Sequence, residues 1–366
     1  MVNETVLEIN LSALKKNYLF LKSIIPQKTL FLAVVKAFAY GSDAVVVAKY
    51  LEKLGVDYFA VAYVEEGVAL RKAGVMTPVL VLHPQPINFG KAIEFSLEPS
   101  LYSERVLSAF IATAAEMKQI NFPVHIKFNT GLNRLGFQNS ASNRIALELS
   151  KETTIKVKSI FSHLAASEDL EERAFTLGQI EQFSEICERF ESGYGKLPVR
   201  HLCNTSGAVN YPEAAFDMVR CGIGLYGYDN RIGYSNDLLP VLSLKSVISQ
   251  IHKLKKGDSV GYNRAYVADT NKTIATLPLG HSDGIGRQYG NGVGYVNIQN
   301  KKAPIVGNVC MDMMMVDVSD IDCQEGDHVV VFGAFASAEH LAESAKTISY
   351  ELLTALSRRI KRILIE

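Results

Sequence analysis

"FLAVVKAFAYGSD", residues 31–43, sets five apolar residues in front of Lys36 and follows the lysine with Tyr40 and Gly41. A run this apolar reads as a strand covered on both faces. A solvated ammonium gains nothing at the end of such a strand. Taken alone, a lysine there is most often a surface residue whose stem lies on apolar neighbours while its head reaches water. The other reading is an amine held for covalent chemistry, and the remainder of the chain decides between the two.

The same strand-then-helix order continues. Apolar strand candidates lie near 31–36, 58–63, 78–83, 97–102, 124–130, 155–163, 199–205 and 217–221. Each of the first seven precedes a helical pattern such as "VEEGVALRKAG" or "SERVLSAFIATAAEMK". This predicts an α/β fold whose N-terminal part is a (β/α)8 barrel, with a doubly wound open sheet as the competing architecture. "VLEINL" reads as an opening strand outside this alternation, and Ser12 as the N-cap of a helix with Leu14, Tyr18, Leu21 and Ile25 on one face. From about Leu238 the character changes. Short β-like segments alternate with turn signals such as "KKGDSVGYN", "ADTNK" and "YGNGVG", which predicts a mostly β C-terminal domain. It closes on a helix in "ISYELLTALSRRIKR", whose basic residues are expected to form a solvated face. The polar, glycine-bearing segment "DNRIGYSND" sets the boundary at residues 231–236, giving a cofactor-binding barrel over 1–235 and a second domain over 236–366.

The bulk numbers exclude several classes. Lysine plus arginine equals aspartate plus glutamate at 38 each, which argues against a nucleic-acid or anionic-membrane surface as the main partner. No apolar run reaches the length of a membrane span, and "MVNETVLEIN" has neither a basic nor an apolar leader region. The five cysteines are scattered, with no CxxC, so a reduced cytoplasmic protein without a metal site is expected.

Side chains at the C-terminal ends of barrel strands build the active site of such a fold. Here they are Lys36; Lys127, Asn129 and Arg134 in "HIKFNTGLNRLGF"; His163 in "IFSHLAAS"; His201, Asn204 and Thr205 in "RHLCNTSGA"; and Arg220 in "MVRCGIGLYG". A mouth lined by cationic and polar groups suits a dianionic phosphate on an aromatic cofactor. A lysine amine condenses with an aldehyde. Thr205, the amides of Gly222 and Ile223, and the Tyr40 hydroxyl are suitable phosphate ligands. Together these point to pyridoxal 5′-phosphate anchored on Lys36. Each residue alone has a plainer reading, as a structural histidine, an ion-pair arginine or an ordinary glycine-rich loop. Their joint occurrence at successive strand ends favours the site.

With those segments in view, the chain resembles the bacterial alanine racemases over essentially its whole length. The segments that carry the resemblance are "AVVKAFAYG", "KFNTGLNRLGF", "HLCNTSGA", "VRCGIGLYG", "SVGYNRAY", "LPLGHSDG" and "PIVGNVCMDMMMVDV", in that order. The resemblance implies a (β/α)8 barrel followed by a β domain, and a homodimer whose active sites are each completed by the partner's C-terminal domain. It implies interconversion of L- and D-alanine on pyridoxal 5′-phosphate, supplying D-alanine for peptidoglycan. By resemblance, Lys36 holds the cofactor and is one acid/base group, and Tyr262 is the other, reaching in from the second subunit. Arg220 faces the pyridine nitrogen. His163 packs by the ring, Tyr40, Thr205, Gly222 and Ile223 hold the phosphate, and Asn204 is a further cofactor-binding residue. Arg134 and the Met311 amide bind the substrate carboxylate, and the lysine matching Lys127 carries a carbamate in many members.

Chemistry supports the assignment. Racemisation removes a proton from one face of the α-carbon and returns one to the other, which calls for two groups of suitable acidity. Guanidinium keeps its proton, so Arg220 can only donate to the pyridine nitrogen, leaving the ring a weaker electron sink and favouring simple reprotonation.

Some positions depart from the commonest family pattern. Phe38, Ser42 and Asp43 follow the lysine, Asn129 replaces an aspartate, His281 replaces a carboxylate-contacting tyrosine, and Arg358 replaces a phosphate-contacting tyrosine found in some members. The competing functions are a racemase for serine or another small amino acid, a decarboxylase on the same fold using Cys310, and a non-catalytic pyridoxal-phosphate-binding protein. The last resembles only the barrel half, so residues 238–366 argue against it. The opening "VLEINLSAL" also resembles racemase domains fused behind a cell-wall ligase.

Overall fold

The eight apolar runs become eight parallel strands: β2 Leu30–Val34, β3 Tyr58–Val61, β4 Val79–Val81, β5 Glu98–Leu101, β6 Phe122–Lys127, β7 Ile155–Phe161, β8 Val199–His201 and β9 Met218–Cys221. The computed structural model describes residues 4–229 and 237–366, so the boundary segment expected at 231–236 lies outside the described residues. Phe31, Leu32 and Ala33, Phe59 to Val61, and Val79 to Val81 are all fully buried, as strands covered on both faces require.

The strands pair in the order β8-β7-β6-β5-β4-β3-β2-β9. The remaining seam is closed by backbone bonds from Asp217 N–H to Arg200 C=O at 3.1 Å and from Arg220 N–H to Cys203 C=O at 3.0 Å. The sheet is therefore a closed barrel, and the open-sheet alternative is excluded. Helices follow the strands on the outside, the longest being Arg173–Tyr194. The helix Leu11–Ser23 precedes β2 and packs on the turn after β9, where the Asn17 amide donates to the carbonyls of Leu225 at 3.0 Å and Leu239 at 2.8 Å. Its N-cap is Asn10, whose side chain accepts from Ala13 N–H, and not Ser12. Asn10 is still extended, as an N-cap must be, whereas Ser12 lies inside the first turn.

The opening strand β1, Val6–Asn10, stands outside the barrel. It pairs antiparallel with β10, Leu242–Val247, and parallel with β19, Lys361–Ile365. The C-terminal domain adds β11 Gln250–Leu254, β14 Lys272–Leu277, β15 Tyr295–Ile298, β16 Lys301–Val306, β17 Met314–Asp317 and β18 His328–Phe332 to this nine-stranded sheet. A short ribbon, β12 Ser259–Val260 with β13 Tyr266–Val267, flanks Tyr262. The expected closing helix is shorter than the sequence suggests. It ends at Thr354, and "KRILI" is strand β19. The Arg362 guanidinium donates to the carbonyls of Ser357 and Ile360 at 2.5 and 2.7 Å. That side chain satisfies backbone acceptors that a continued helix would have bonded itself.

Candidate active site

Strand β2 ends at Val34, and Lys36 opens a turn of unusual hand. Ala37, Phe38, Ala39 and Tyr40 all have φ between 51° and 56° and ψ between 41° and 57°, a left-handed helical turn built from four L-residues. Each such residue costs about 1–2 kcal/mol, so the surroundings must impose the conformation. They do so from several sides. The Glu66 carboxylate accepts from Ala37 N–H and from Ala62 N–H, both at 2.6 Å. The Tyr40 ring stacks on Tyr226 with centroids 4.6 Å apart, and the Tyr226 hydroxyl donates to the Val34 carbonyl at 3.0 Å. From the second domain, Arg362 donates to the Gly41 carbonyl at 3.0 Å. Gly41 has φ +84° and passes so close to Leu353 that a Cβ would sit 2.0 Å from its carbonyl oxygen. The result is that Lys36 and Tyr40 line one cavity.

That cavity has a volume of about 650 Å³ and is also lined by Lys127, Arg134, His163, Thr205, Arg220, Gly222 and Ile223. Six of the nine strand-end residues singled out in the sequence thus meet at the barrel mouth, and Asn129 and His201 lie outside the cavity lining. Asn204 does not line the cavity either. Its side-chain oxygen caps the following helix, accepting from Gly207 N–H and from the Ser167 hydroxyl, both at 2.8 Å. This oxygen orients the turn that presents Thr205.

The site is strongly cationic, and Lys127 and Arg220 are buried in it. Burial lowers the Lys36 pKa, the Arg134 charge lowers it further, and Glu66 partly opposes this. Lys127 is pushed down to about 7, first by burial and then by Arg134, Arg220 and Lys36. Arg220 is pushed down to about 10, chiefly by burial, and still keeps its charge at neutral pH. It donates from Nη2 to His163 Nδ1 at 2.8 Å and to the Ser162 and Leu202 carbonyls at 2.9 and 3.0 Å. Burial, followed by Arg220, holds His163 well below its ordinary range, so it is neutral and accepts at Nδ1. Burial raises Tyr40, which therefore stays a hydroxyl donor.

The cavity fits pyridoxal 5′-phosphate on its own geometry. Gly222 and Gly224 form a cradle that side chains would fill. A Cβ on Gly222 would lie 2.3 Å from the Tyr40 hydroxyl, and one on Gly224 would lie 2.5 Å from Thr205 Cγ2. Thr205 Oγ1 accepts from Gly222 N–H at 3.1 Å, which fixes the loop against the hydroxyl side chain. Among the described residues no group of three or more His, Cys, Asp or Glu could hold a metal ion.

The other expected residues lie elsewhere. Tyr262 is 74% exposed and Met311 59%, and both line a separate groove on the C-terminal domain together with Cys310 and Met313. His281 is exposed beside them, its N–H donating to the Cys310 carbonyl at 2.9 Å, and Ser282 N–H donates to that of Met311 at 3.0 Å. Within one chain these groups do not line the lysine cavity. Arg358 is exposed, as expected of a solvated basic face, and does not line the cavity. Its guanidinium sits 3.2 Å above the ring of Phe38, so two departures from the family pattern meet each other. Asn129 folds back on its own loop, accepting from Gly131 and Asn133 N–H, at 3.2 and 3.0 Å.

Sequence reasoning missed Glu66 and Tyr350. Glu66 bonds the backbone N–H of Tyr63, three residues earlier, an arrangement that a helix-start signal could have revealed. Tyr350 lines the cavity 5.8 Å from the Tyr40 ring and carries no local signal, because it arrives from the second domain.

Comparison with known proteins agrees with this architecture. The family model for the N-terminal domain of alanine racemase matches residues 9–230, and that for the C-terminal domain matches residues 241–364. An alanine racemase of Thermodesulfovibrio yellowstonii is 35% identical over 97% of this chain and 96% of its own length. The alanine racemase of Clostridium difficile superposes with a TM-score of 0.93 at 32% identity, covering 100% of this chain and 97% of that one. The enzyme from Bartonella henselae, solved with covalently bound pyridoxal phosphate, superposes with a TM-score of 0.91 at 28% identity over 100% of both chains. Two domain models in order, full-length relatives and a lysine at the mouth of the barrel agree: the chain belongs to the alanine racemase family.

Proposed function

We propose that the protein interconverts L- and D-alanine with two proton-transfer groups from two subunits, Lys36 of one and Tyr262 of the other. The reaction and its dependence on pyridoxal 5′-phosphate follow from family membership. The assignment of residues rests on the geometry, and the observation that carries it is the lysine cavity with its glycine cradle. Bound cofactor supplies an aldehyde for an amine and a conjugated ring that stabilises negative charge at the α-carbon.

The chain's own groups do the rest. Lys36 anchors the aldehyde and moves a proton at Nζ, and burial, which lowers its pKa, favours the neutral amine. Tyr40, Thr205 and the Gly222 and Ile223 amides hold the phosphate. Arg220, always a donor, holds the pyridine nitrogen unprotonated, with His163 beside the ring. Arg134, the Met311 amide and His281 bind the substrate carboxylate.

The homodimer is part of the proposal. Tyr262 and Met311 lie on an exposed apolar groove with Met313 and Val260, and they do not line the cavity of their own chain. A second copy that lays this groove over the barrel mouth completes the site. Lys127 carries a carbamate in this reading. Its pKa of about 7 leaves much of the amine neutral, the form that captures CO2, and the product would be an anion among Lys36, Arg134 and Arg220. Asn129 does not stand against this, because its side chain is turned into its own loop. A cytoplasmic role in supplying D-alanine for peptidoglycan completes the proposal. Among the described residues no helix is long and apolar enough to cross a membrane.

The test is one sample in D2O. Purified protein with pyridoxal 5′-phosphate and L-alanine is followed for α-deuteration and optical rotation together. Racemisation with deuterium gain supports the assignment. A bound cofactor without exchange rejects catalysis and leaves a binding protein. Substrate competition with serine separates the second reading, which the exposed His281 at the expected carboxylate position keeps in play.

A further inference from the structure

Five consecutive barrel strands each place one polar side chain in a single line through the barrel interior: Glu98 on β5, His125 on β6, Ser159 on β7, His201 on β8 and Arg220 on β9. Glu98 Oε2 lies 2.7 Å from His125 Nε2, and His125 Nδ1 lies 2.5 Å from Ser159 Oγ. Ser159 Oγ lies 2.7 Å from His201 Nε2, and His201 Nδ1 lies 3.0 Å from Arg220 Nη1. Glu98 is 8% exposed, Arg220 4%, and the three between them 0%. A register shift in the β6–β7 pairing, between Val124 and His125, is what sets Ser159 opposite His125.

The chemistry of the two ends fixes the direction of every bond. Arginine has donors only, so His201 accepts at Nδ1 and carries its proton on Nε2. That proton goes to Ser159, whose hydroxyl hydrogen is then free for His125 Nδ1. His125 therefore carries its proton on Nε2 and donates it to Glu98, an acceptor when ionised. The Tyr58 hydroxyl donates to the same Glu98 oxygen at 3.3 Å. This one arrangement satisfies every hydrogen in the line, and any break leaves a buried polar group unpaired.

We propose that Glu98 is a positioning residue for Arg220, acting at a distance through His125, Ser159 and His201 to keep an acceptor, and never a donor, in front of Arg220 Nη1. The carboxylate balances a buried guanidinium without standing beside the cofactor ring. Without Glu98, His125 is free to protonate Nδ1, Ser159 turns its hydrogen toward His201 Nε2, and His201 is driven toward the form whose Nδ1–H opposes Arg220. The inference rests on the reading of Arg220 as the group facing the pyridine nitrogen.

The test uses Glu98→Leu, Glu98→Gln and Ser159→Ala in the full chain. Nitrogen-15 spectra of the histidine rings are read first without cofactor, so that the line is tested apart from catalysis. The unaltered protein should show His125 and His201 both protonated at Nε2, and Glu98→Leu should move His125 to the Nδ1–H form. In the cofactor-loaded enzyme, cutting the line by Glu98→Leu or Ser159→Ala should lower kcat about tenfold, the scale of losing an outer hydrogen-bond partner. KM for alanine should stay within about twofold, since the substrate contacts are untouched. Pyruvate formed per alanine racemised should rise. Glu98→Gln, which keeps an acceptor, should restore the tautomers and the kcat. Should Glu98→Leu fail to fold, Ser159→Ala decides by kcat and the pyruvate ratio. Unaltered His125 signals in Glu98→Leu, or an unchanged kcat and pyruvate ratio in the folded variants, would overturn the proposal. Failure of the unaltered protein to racemise would instead overturn the proposed function.

Discussion

Lys127 shows how much a single side chain can be changed by its surroundings. Its stem lies in the barrel and its amine sits 5.7 Å from the centre of the Phe161 ring, with Arg134, Arg220 and Lys36 as its charged neighbours. Desolvation and like charge act in the same direction and bring its pKa to about 7. The sign of the consequence follows. Below pH 7 the folded and unfolded chains both hold the proton. Between pH 7 and the ordinary lysine value of 10.5, the unfolded chain holds more, so stability rises with pH across that window. Lys36 is displaced in the same direction and adds to the trend. In CO2-free, cofactor-free protein, replacing Lys127 with methionine should remove up to about 1.4 kcal/mol per pH unit of that slope, measured by urea unfolding at pH 7, 8 and 9. An unaltered slope would mean that the amine is charged in the fold. With labelled bicarbonate, the unaltered protein should also show a carbamate carbon signal that Lys127→Met lacks. At this scale the sequence was informative about type and silent about neighbours. A lysine near a strand end was visible at positions 36 and 127, whereas the burial that shifts them most, and for Lys127 the charges of Arg220 and Lys36, come from the assembled barrel.

The proposed phosphate cradle is a property of elements. It is made where the loop after β9 meets the turn after β2, with Thr205 from the loop after β8 bonded to Gly222 N–H. The three segments are far apart in sequence and adjacent only because β9 pairs β2 in the closed barrel. Gly222→Ala tests the cradle directly, because its Cβ would fall 2.3 Å from the Tyr40 hydroxyl, and Tyr40 is locked between Tyr226 and Tyr350. The variant should bind pyridoxal 5′-phosphate at least about tenfold more weakly by equilibrium dialysis, a loss of roughly 1.4 kcal/mol or more. Adding Tyr40→Phe removes the clashing oxygen and should return part of that affinity, though not all, since the hydroxyl donor is lost with it. A double variant weaker than Gly222→Ala alone would show that the clash is not the cause. Strands β2, β3 and β4 were readable because burial on both faces makes each a continuous apolar run, whereas β5 to β9 each carry a polar side chain and were marked by their place in the strand–helix alternation. Their ends were less so: the stretch read as strand through Lys36 breaks at Val34 into a left-handed turn. Nothing local in "KAFAYG" predicts four L-residues at positive φ. That conformation is imposed by Glu66, Tyr226 and Arg362 from elsewhere in the fold.

At the scale of the whole molecule, the two domains are stitched through the chain's own beginning and end. Strand β1 lies between β10 and β19, so the first described strand completes the last domain's sheet, and Arg362 reaches from β19 to the turn after Lys36. The sequence set β1 outside the strand–helix alternation, although the bounds of 1–235 kept it in the first domain, because pairing between distant segments leaves no local periodicity to read. The same limit applies to the proposed second proton-transfer group. "SVGYNRAY" marks Tyr262 by resemblance, but only the fold shows it 74% exposed on a face that does not line its own chain's lysine cavity. If the active site is shared between subunits, two defective chains can repair each other. A Lys36→Ala chain keeps Tyr262, and a Tyr262→Phe chain keeps Lys36. In a mixed dimer one site combines both defects, and the other pairs an intact lysine with an intact tyrosine. Random reassociation of equal amounts makes half of the dimers mixed, each with one good site of two, so about a quarter of the unaltered activity should return. The measurement is racemisation by each variant alone and by the two after co-refolding. If both groups served a site within one chain, every site in the mixture would carry a defect, and activity would not exceed the average of the separate variants. Recovery near one quarter requires Tyr262 to act across the dimer, on a lysine that its own chain does not present to it.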